Sequence, residues 1–334
     1  MRITKEMLLN IAQDTVEKLV RENPSIIAAY LHGSILREDP LLGGTTDIDL
    51  VFIYAGGNRR REITRLTDEV TLDIEYHPQS LYRPPRTLRS DPWLGNTIYD
   101  CQSIHDPDHF IDFVQASVRG LFGTPENVIE RAEPLLTEAR QTWLRYHNQI
   151  PESGPELVAE YLHALECIAN AVACLNGPPL TERRFLLEFP ARAEAMGNPG
   201  LHVGLLGLLG TVNISKNEIA AWLPGWEAAY KAVGGMPEVP PHLHPNRKAY
   251  HLRAYQAMLE SENPETAVWP LLRTWTRAAR HLPAASNPVK AWTDACDQIN
   301  LLNDHFAQKV HGLDAYLDTV EEFFENWKQA RGLV

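Results

Sequence analysis

The sequence predicts an α+β protein of two domains: a small mixed β-sheet with helices on one side over residues 1–123, then an all-α helical bundle over 124–334. Three observations predict it. Short apolar runs and one clean alternation, the marks of strands, all fall before Gly123. Beyond it, spacings of three and four take their place. Only Trp93 of the eight tryptophans precedes Gly123, so composition changes at the same point.

The chain has 334 residues, enough for two cores, and its 44% apolar and 22% charged content is ordinary for globular proteins. A net charge of −12 argues against a protein that holds nucleic acid by a basic surface, and leaves room for a local basic pocket. The four cysteines, at 101, 167, 174 and 296, form no CxxC pair, which predicts a reduced, cytoplasmic chain without structural zinc. Cys167 and Cys174 lie seven apart on an expected helix and read as core. Thirteen histidines show no HExxH or other metal spacing. No signal peptide is expected, nor an apolar stretch long enough to cross a bilayer, so no membrane partner is expected.

Residues 4–21 read as an amphipathic helix, with Leu8, Ile11, Val16, Leu19 and Val20 as its stripe and Pro24 ending it. Ile26–Leu31 is short, apolar and followed by turn residues, hence a buried strand. Gly33 permits a sharp turn and a close approach. Ser34 can cap a helix running to about Asp39, or bind an oxyanion itself. Such a helix would aim its free N–H groups at the mouth of the sheet, as phosphate sites require. Asp47-Ile48-Asp49 opens the second strand, Leu50–Tyr54. Alternation puts both carboxylates on one face, where two like charges are unfavourable unless a cation sits between them. Ala55–Asn58 is a turn, and Arg59-Arg60-Arg61 reads as a solvated loop or, more sharply, as a contact to nucleotide phosphates or to an acidic partner.

Residues 70–77 alternate, with Val70, Leu72, Ile74 and Tyr76 on one side and Thr71, Asp73, Glu75 and His77 on the other. A Pro-, Arg- and Ser-rich loop with some helix follows over 78–95, then an edge strand over 97–104. Asp106-Pro107 caps a helix over 108–121 that buries Phe110, Phe113, Val114 and Val118. In the second half, one helix runs from Thr124 to about Asn148, with a kink at Pro134. The clearest covers 155–176, where Val158, Tyr161, Leu165, Ile168, Val172 and Leu175 recur at helical spacing. Its less apolar side holds His163, Glu166 and Asn170, a solvated face or a lining for an acceptor. Further helices fit 181–195, 200–210, 215–233, 245–261, 264–281, 288–310 and 313–330.

Gly33-Ser34, twelve residues, then Asp47-Ile48-Asp49-Leu50 resembles the signature of the polymerase β-type nucleotidyltransferase superfamily, which includes antibiotic and minimal nucleotidyltransferases. The resemblance covers residues 26 to about 77. It implies transfer of a nucleoside monophosphate from an NTP such as ATP to a hydroxyl, with release of pyrophosphate. It implies that Gly33, Ser34 and Arg37 bind the nucleotide and that Asp47 and Asp49 hold two Mg²⁺ ions. A third carboxylate comes from the following strand, where Asp73 matches the place and Glu75 competes; it would share one metal and accept the acceptor's proton. Arg183 and Arg184, after a Gly-Pro-Pro turn, match only by position a basic residue that related enzymes aim at phosphates. The helical domain would select the acceptor, a small molecule or a protein side chain. Two further readings stand beside this one. A regulatory, antitoxin-like nucleotide-binding protein could share the fold, and an enzyme acting on RNA ends could too, though the acidic balance weighs against nucleic acid.

Overall fold

The computed structural model describes residues 3–333. In chain order its helices and strands are α1 (Lys5–Glu22), β1 (Ile26–His32), β2 (Thr46–Tyr54), β3 (Arg60–Arg65), β4 (Val70–Pro78), α2 (Leu94–Asp100), β5 (Gln102–His105), α3 (Phe110–Arg119), α4 (Pro125–Asn148), α5 (Pro155–Cys174), α6 (Phe185–Ala195), α7 (Gly200–Leu209), α8 (Lys216–Gly234), α9 (Lys248–Leu259), α10 (Val268–Arg280), α11 (Asn287–Gln298) and α12 (Phe306–Gln329). The protein is α+β, with a mixed five-stranded sheet ordered β3-β4-β2-β1-β5. Strands β2 and β4 run parallel; the other neighbours are antiparallel.

The chain separates into two compact units. One comprises residues up to Asn127 together with Asn246–Ala254; the other comprises Val128–Pro245 and the chain from Tyr255 onward. The sequence places a single boundary at 123/124. The return of nine residues to the first unit is invisible to periodicity, because only side-chain partners far away in sequence attach them.

In the first unit the sheet has helices on both faces, not on one as expected. Leu8, Ala12 and Val16 of α1 pack on Ile48, Leu50 and Phe52 of β2 and on Val70, Leu72 and Ile74 of β4. The opposite face, carrying Tyr30, Val51 and Ile53, packs on Ile98 of α2 and on Ile111, Val114 and Val118 of α3. The alternation of 70–77 therefore sorts residues between two covered faces, and Thr71, Asp73 and His77 are buried although polar.

Four local expectations fail. The helix expected from Ser34 to Asp39 is a four-residue 3-10 turn, Gly33–Leu36, since Arg37 returns to extended backbone and points its N–H at the Ser34 carbonyl. Arg59–Arg61 is largely strand: β3 pairs with β4 and puts Arg61 beside Glu75. Part of the edge strand expected over 97–104 is helical, with only Gln102–His105 extended. Along α3, Phe113 is 65% exposed and belongs outside, whereas Ile111, Val114 and Val118 fill the core.

In the second unit α5 is the core helix. By length and composition it could cross a membrane, contrary to the sequence expectation, but 78% of its apolar window is buried inside the protein. Asn170, expected on its polar side, is buried, and its amide oxygen accepts from Leu180 N–H at 2.6 Å. Helix α10 packs on α5 and α8, and α11 on α8. Trp226 and Trp292 donate their indole N–H groups to Thr274 and Thr276 of α10 at 2.9 and 3.0 Å, so these large side chains are buried without an orphaned donor. The expected break near Gly312 lies earlier, where Asn300 and Asn303 adopt left-handed conformations (φ 59° and 55°). Gly312 lies inside α12, and its missing side chain lets α7 approach, since a Cβ there would sit 3.2 Å from Leu208.

Asp106 holds the start of α3, accepting from the Phe110 and Asp112 N–H groups at 2.7 and 3.0 Å. These donors have no intrahelical partner. Asp106→Ala is expected to lower stability by about 1–2 kcal/mol in denaturant titration. An unchanged midpoint would show the cap to be dispensable.

Candidate active site

Strand register assembles the site. Parallel pairing of β2 and β4 sets Asp49 opposite Asp73, and Asp47 opposite Thr71. Antiparallel pairing of β1 and β2 sets His32 opposite Asp49. Alternation turns Asp47, Asp49 and Asp73 to one face, and a carboxylate oxygen from each lies within 4.8 Å of the others. Asp73 is the β4 member of this cluster. Glu75 is one alternation further along and is held by Arg59 and by His77, whose Nε2 lies 2.9 Å away. The His77 ring continues through Tyr82 (2.7 Å) to Tyr30 (2.9 Å), a buried polar chain that ties Glu75 down.

Gly33 lines the cluster at φ +79°, and a Cβ there would stand 2.2 Å from Asp49 Oδ2. Its function in the fold is thus to let the turn after β1 meet the Asp49 carboxylate. Ser34 Oγ lies 3.2 Å from Thr46 Oγ1, joining that turn to the start of β2. The Arg37 carbonyl, like that of Leu36, accepts from Lys5 Nζ, at 2.8 and 3.2 Å, so the turn is tied to α1.

Two arginines answer the carboxylates. Arg61 from β3 donates from Nε and Nη2 to the two oxygens of Asp73 at 2.7 and 2.6 Å, a two-pronged fit. Arg247, from the returning segment, donates to Asp47 at 2.7 Å and to Asp73 at 2.5 Å, and lies 5.0 Å from the Tyr250 ring. Its own Nε, though buried, has no hydrogen-bond partner among the described residues. The segment is seated by Asn246, which donates to the Ile63 carbonyl, by Arg253 on Glu69 at 2.9 Å, and by Thr45, which donates to the Tyr250 carbonyl at 3.3 Å. Gly43 (φ +60°) makes room, since a Cβ there would stand 2.2 Å from the Arg253 carbonyl oxygen.

Charge in the cluster is incompletely compensated. Asp49 makes no ion pair among the described residues, and burial, then Asp47 and Asp73, push its pKa well above the usual carboxylate range against the pull of Arg247 and Arg61. Burial lowers His32 to about 4, so it stays neutral and adds no positive charge. Three oxygen-donor side chains facing one point, one of them short of a cation, fit a hard divalent ion such as Mg²⁺. Arg183 and Arg184 belong to the other unit, in the 3-10 turn Glu182–Arg184, where Arg183 is buried. Sequence reasoning missed Arg247. Its only sequence signal is the basic pair Arg247-Lys248 after His-Pro-Asn between helical stretches, which nothing links to Asp47. Arg61, expected in a solvated loop or in contact with nucleotide phosphates or an acidic partner, instead sits on β3 and pairs with Asp73 of its own chain.

No protein-family model matches the chain, and no curated protein sequence matches it. Among solved structures, the chain is similar to a nucleotidyltransferase-like protein from Exiguobacterium sibiricum at 10% identity, over 89% of this chain and 91% of that one, with a TM-score of 0.34. A likeness that loose assigns no family.

Removing Arg247 leaves buried carboxylates with fewer cations, a change that costs about 3–5 kcal/mol when one partner of a buried pair is lost. Arg247→Met is therefore expected to destabilise the protein in chelator and to gain more melting temperature from added Mg²⁺ than the wild type does. Equal Mg²⁺ responses in calorimetric melts would show that Arg247 and the ion do not share a seat.

Proposed function

We propose that the first unit is a Mg²⁺-dependent nucleotidyltransferase, moving a nucleoside monophosphate from an NTP to a hydroxyl acceptor. The supporting observation is the convergence of Asp47, Asp49 and Asp73 on one point beside the left-handed Gly33 turn. Asp47 and Asp49 would hold the metal, with Asp73 sharing it. Mg²⁺ bound there supplies charge neutralisation for the triphosphate and the attacking oxygen.

The chain's own residues divide the remaining work. Backbone N–H groups of the Gly33–Leu36 turn and the Ser34 hydroxyl face the phosphates. No α-helix dipole assists them, because the turn is too short to sum one. Arg247 has two roles. Without nucleotide it neutralises Asp47 and Asp73. With nucleotide, its planar fork suits phosphate oxygens as well as carboxylates, so it can exchange one for the other and release both aspartates. Its unpaired Nε makes the carboxylate seat an imperfect one to leave. Asp73, once freed from Arg247, accepts the proton of the acceptor hydroxyl, while Arg61 keeps its carboxylate oriented.

One observation favours a second reading, a regulatory nucleotide-binding protein without turnover. Both oxygens of Asp73 already accept from guanidinium groups, which occupy the positions an acceptor hydroxyl would need. Pyrophosphate release, followed with labelled NTPs, Mg²⁺ and a panel of hydroxyl acceptors, separates the two.

Asp47→Asn combined with Asp49→Asn is expected to abolish Mg²⁺-dependent NTP binding by calorimetry while circular dichroism stays unchanged; retained affinity would refute the metal assignment. Asp73→Asn is expected to keep nucleotide binding but to lower turnover by at least about a hundredfold, the low end for a lost general base. Glu75→Gln, already engaged by His77 and Arg59, is expected to cost much less. A larger loss at Glu75 would transfer the role to it, and nucleotide binding with no turnover in the wild type would favour the regulatory reading.

A further inference from the structure

Outside the carboxylate cluster, the helical unit brings together Glu138 of α4 with His163 and Cys167 of α5, and one donor atom from each lies within 4.8 Å of the others. These are a carboxylate oxygen, an imidazole nitrogen and a thiol sulfur. That donor set differs in kind from the three carboxylates of the first unit. Mixed N, S and O donors suit Zn²⁺ and are poorly matched to Mg²⁺.

The spacing is also right for one ion. A tetrahedral zinc with ordinary bond lengths separates a nitrogen ligand from an oxygen ligand by about 3.3 Å and from a sulfur ligand by about 3.5 Å. Here His163 Nε2 lies 2.9 Å from Glu138 Oε1 and 3.6 Å from Cys167 Sγ. The Glu138 oxygen and the Cys167 sulfur lie within 4.8 Å of each other, so closing that pair to ligand spacing places all three around a metal. His163 and Cys167 reach the same point because they are one helical turn apart, at i and i+4.

Two independent features support a ligand there. The far nitrogen of His163, Nδ1, lies 3.5 Å from Glu166 Oε2, and Glu166 is itself held by Arg273 at 2.5 Å. A carboxylate on the second ring nitrogen is the arrangement that orients a metal-binding histidine and directs its other nitrogen at the ion. The cluster also borders a cavity of about 300 Å³ walled by His163, Glu160, Arg273, Arg277 and Arg280. Solvent reaches it there, because the Glu138 and His163 side chains are 53% and 48% exposed while Cys167 is buried.

We propose that Glu138, His163 and Cys167 form a zinc site with three protein ligands and a fourth position open to the cavity. Glu166 is a positioning residue that fixes the His163 ring. On binding, the thiol proton of Cys167 leaves to solvent as the Zn–S bond forms, so atoms and charge balance without any redox partner. An ion pair between Glu138 and His163 alone would need no thiol aimed at the same nitrogen. The open position makes this a site of the kind that binds water or another exogenous ligand.

The full-length protein, stripped with chelator and titrated with Co²⁺, should develop a thiolate-to-cobalt charge-transfer band that added Zn²⁺ removes. Cys167→Ser should abolish the band, and Cys174→Ser, whose thiol lies elsewhere on α5, should leave it. His163→Gln, at a half-exposed position where folding is not at risk, should weaken Co²⁺ binding at least tenfold with unchanged circular dichroism. Glu166→Gln should weaken it about tenfold to a hundredfold. No thiolate band in the wild type, or a band that survives Cys167→Ser, overturns the site. Undiminished affinity in His163→Gln does the same.

Discussion

The first unit depends on a repulsion. Strand register forces three carboxylates onto one face of a sheet, where burial of Asp47 and Asp73 weakens screening by water. The surrounding chain responds to that charge. Gly33 gives up a side chain so that a turn can meet Asp49; β3 brings a guanidinium to Asp73; and nine residues from far along the chain deliver another. An apolar triad of similar volume would need none of these devices. Such a constellation is compatible with a site for a divalent cation.

The same sheet face changes character along its length. At one end lie the aspartates. Further along, Glu75, His77, Tyr82 and Tyr30 form a hydrogen-bonded chain that merges into the apolar contacts of α2 and α3. Burial raises Tyr82 and Tyr30 well above the ordinary phenol range, so the chain stays uncharged at its inner end. Glu75 is lowered instead: burial would raise it, but hydrogen bonds from His77 and Arg59 outweigh that. Two carboxylates two residues apart on one strand thus both accept from guanidinium groups, but only Asp73 also faces further carboxylates.

How much of this was legible follows from the range of each interaction. Strands with strong periodicity, α1, and the cores of α5 and α8 follow from local pattern, because apolar spacing alone decides them. The shared face of Asp47 and Asp49 follows from parity. The facing of Asp73 required a register between strands, which alternation within β4 does not set. The turn after Gly33 was misjudged because Gly33 and Ser34 allow a helix start, while the ties from Lys5 and Thr46 that fix a single turn come from other elements. Arg247 lay beyond reach altogether, being 200 positions from Asp47. The cluster at Glu138 shows the same limit. His163 and Cys167 match no familiar metal motif, since their third companion sits on a different helix.

The discontinuity of the first unit has a consequence for the order in which the protein can be made. A ribosome releases β2 and β4 long before residue 247 exists, so the sheet can form while Asp73 still lacks its second guanidinium and Asp47 the one that Arg247 brings. The intervening 118 residues, Val128–Pro245, must be synthesised before that cation is delivered. Throughout this interval the nascent sheet depends on solvent or on ions from the surrounding medium to balance its charge. Expressed as residues 1–127, it would stay permanently in that immature condition.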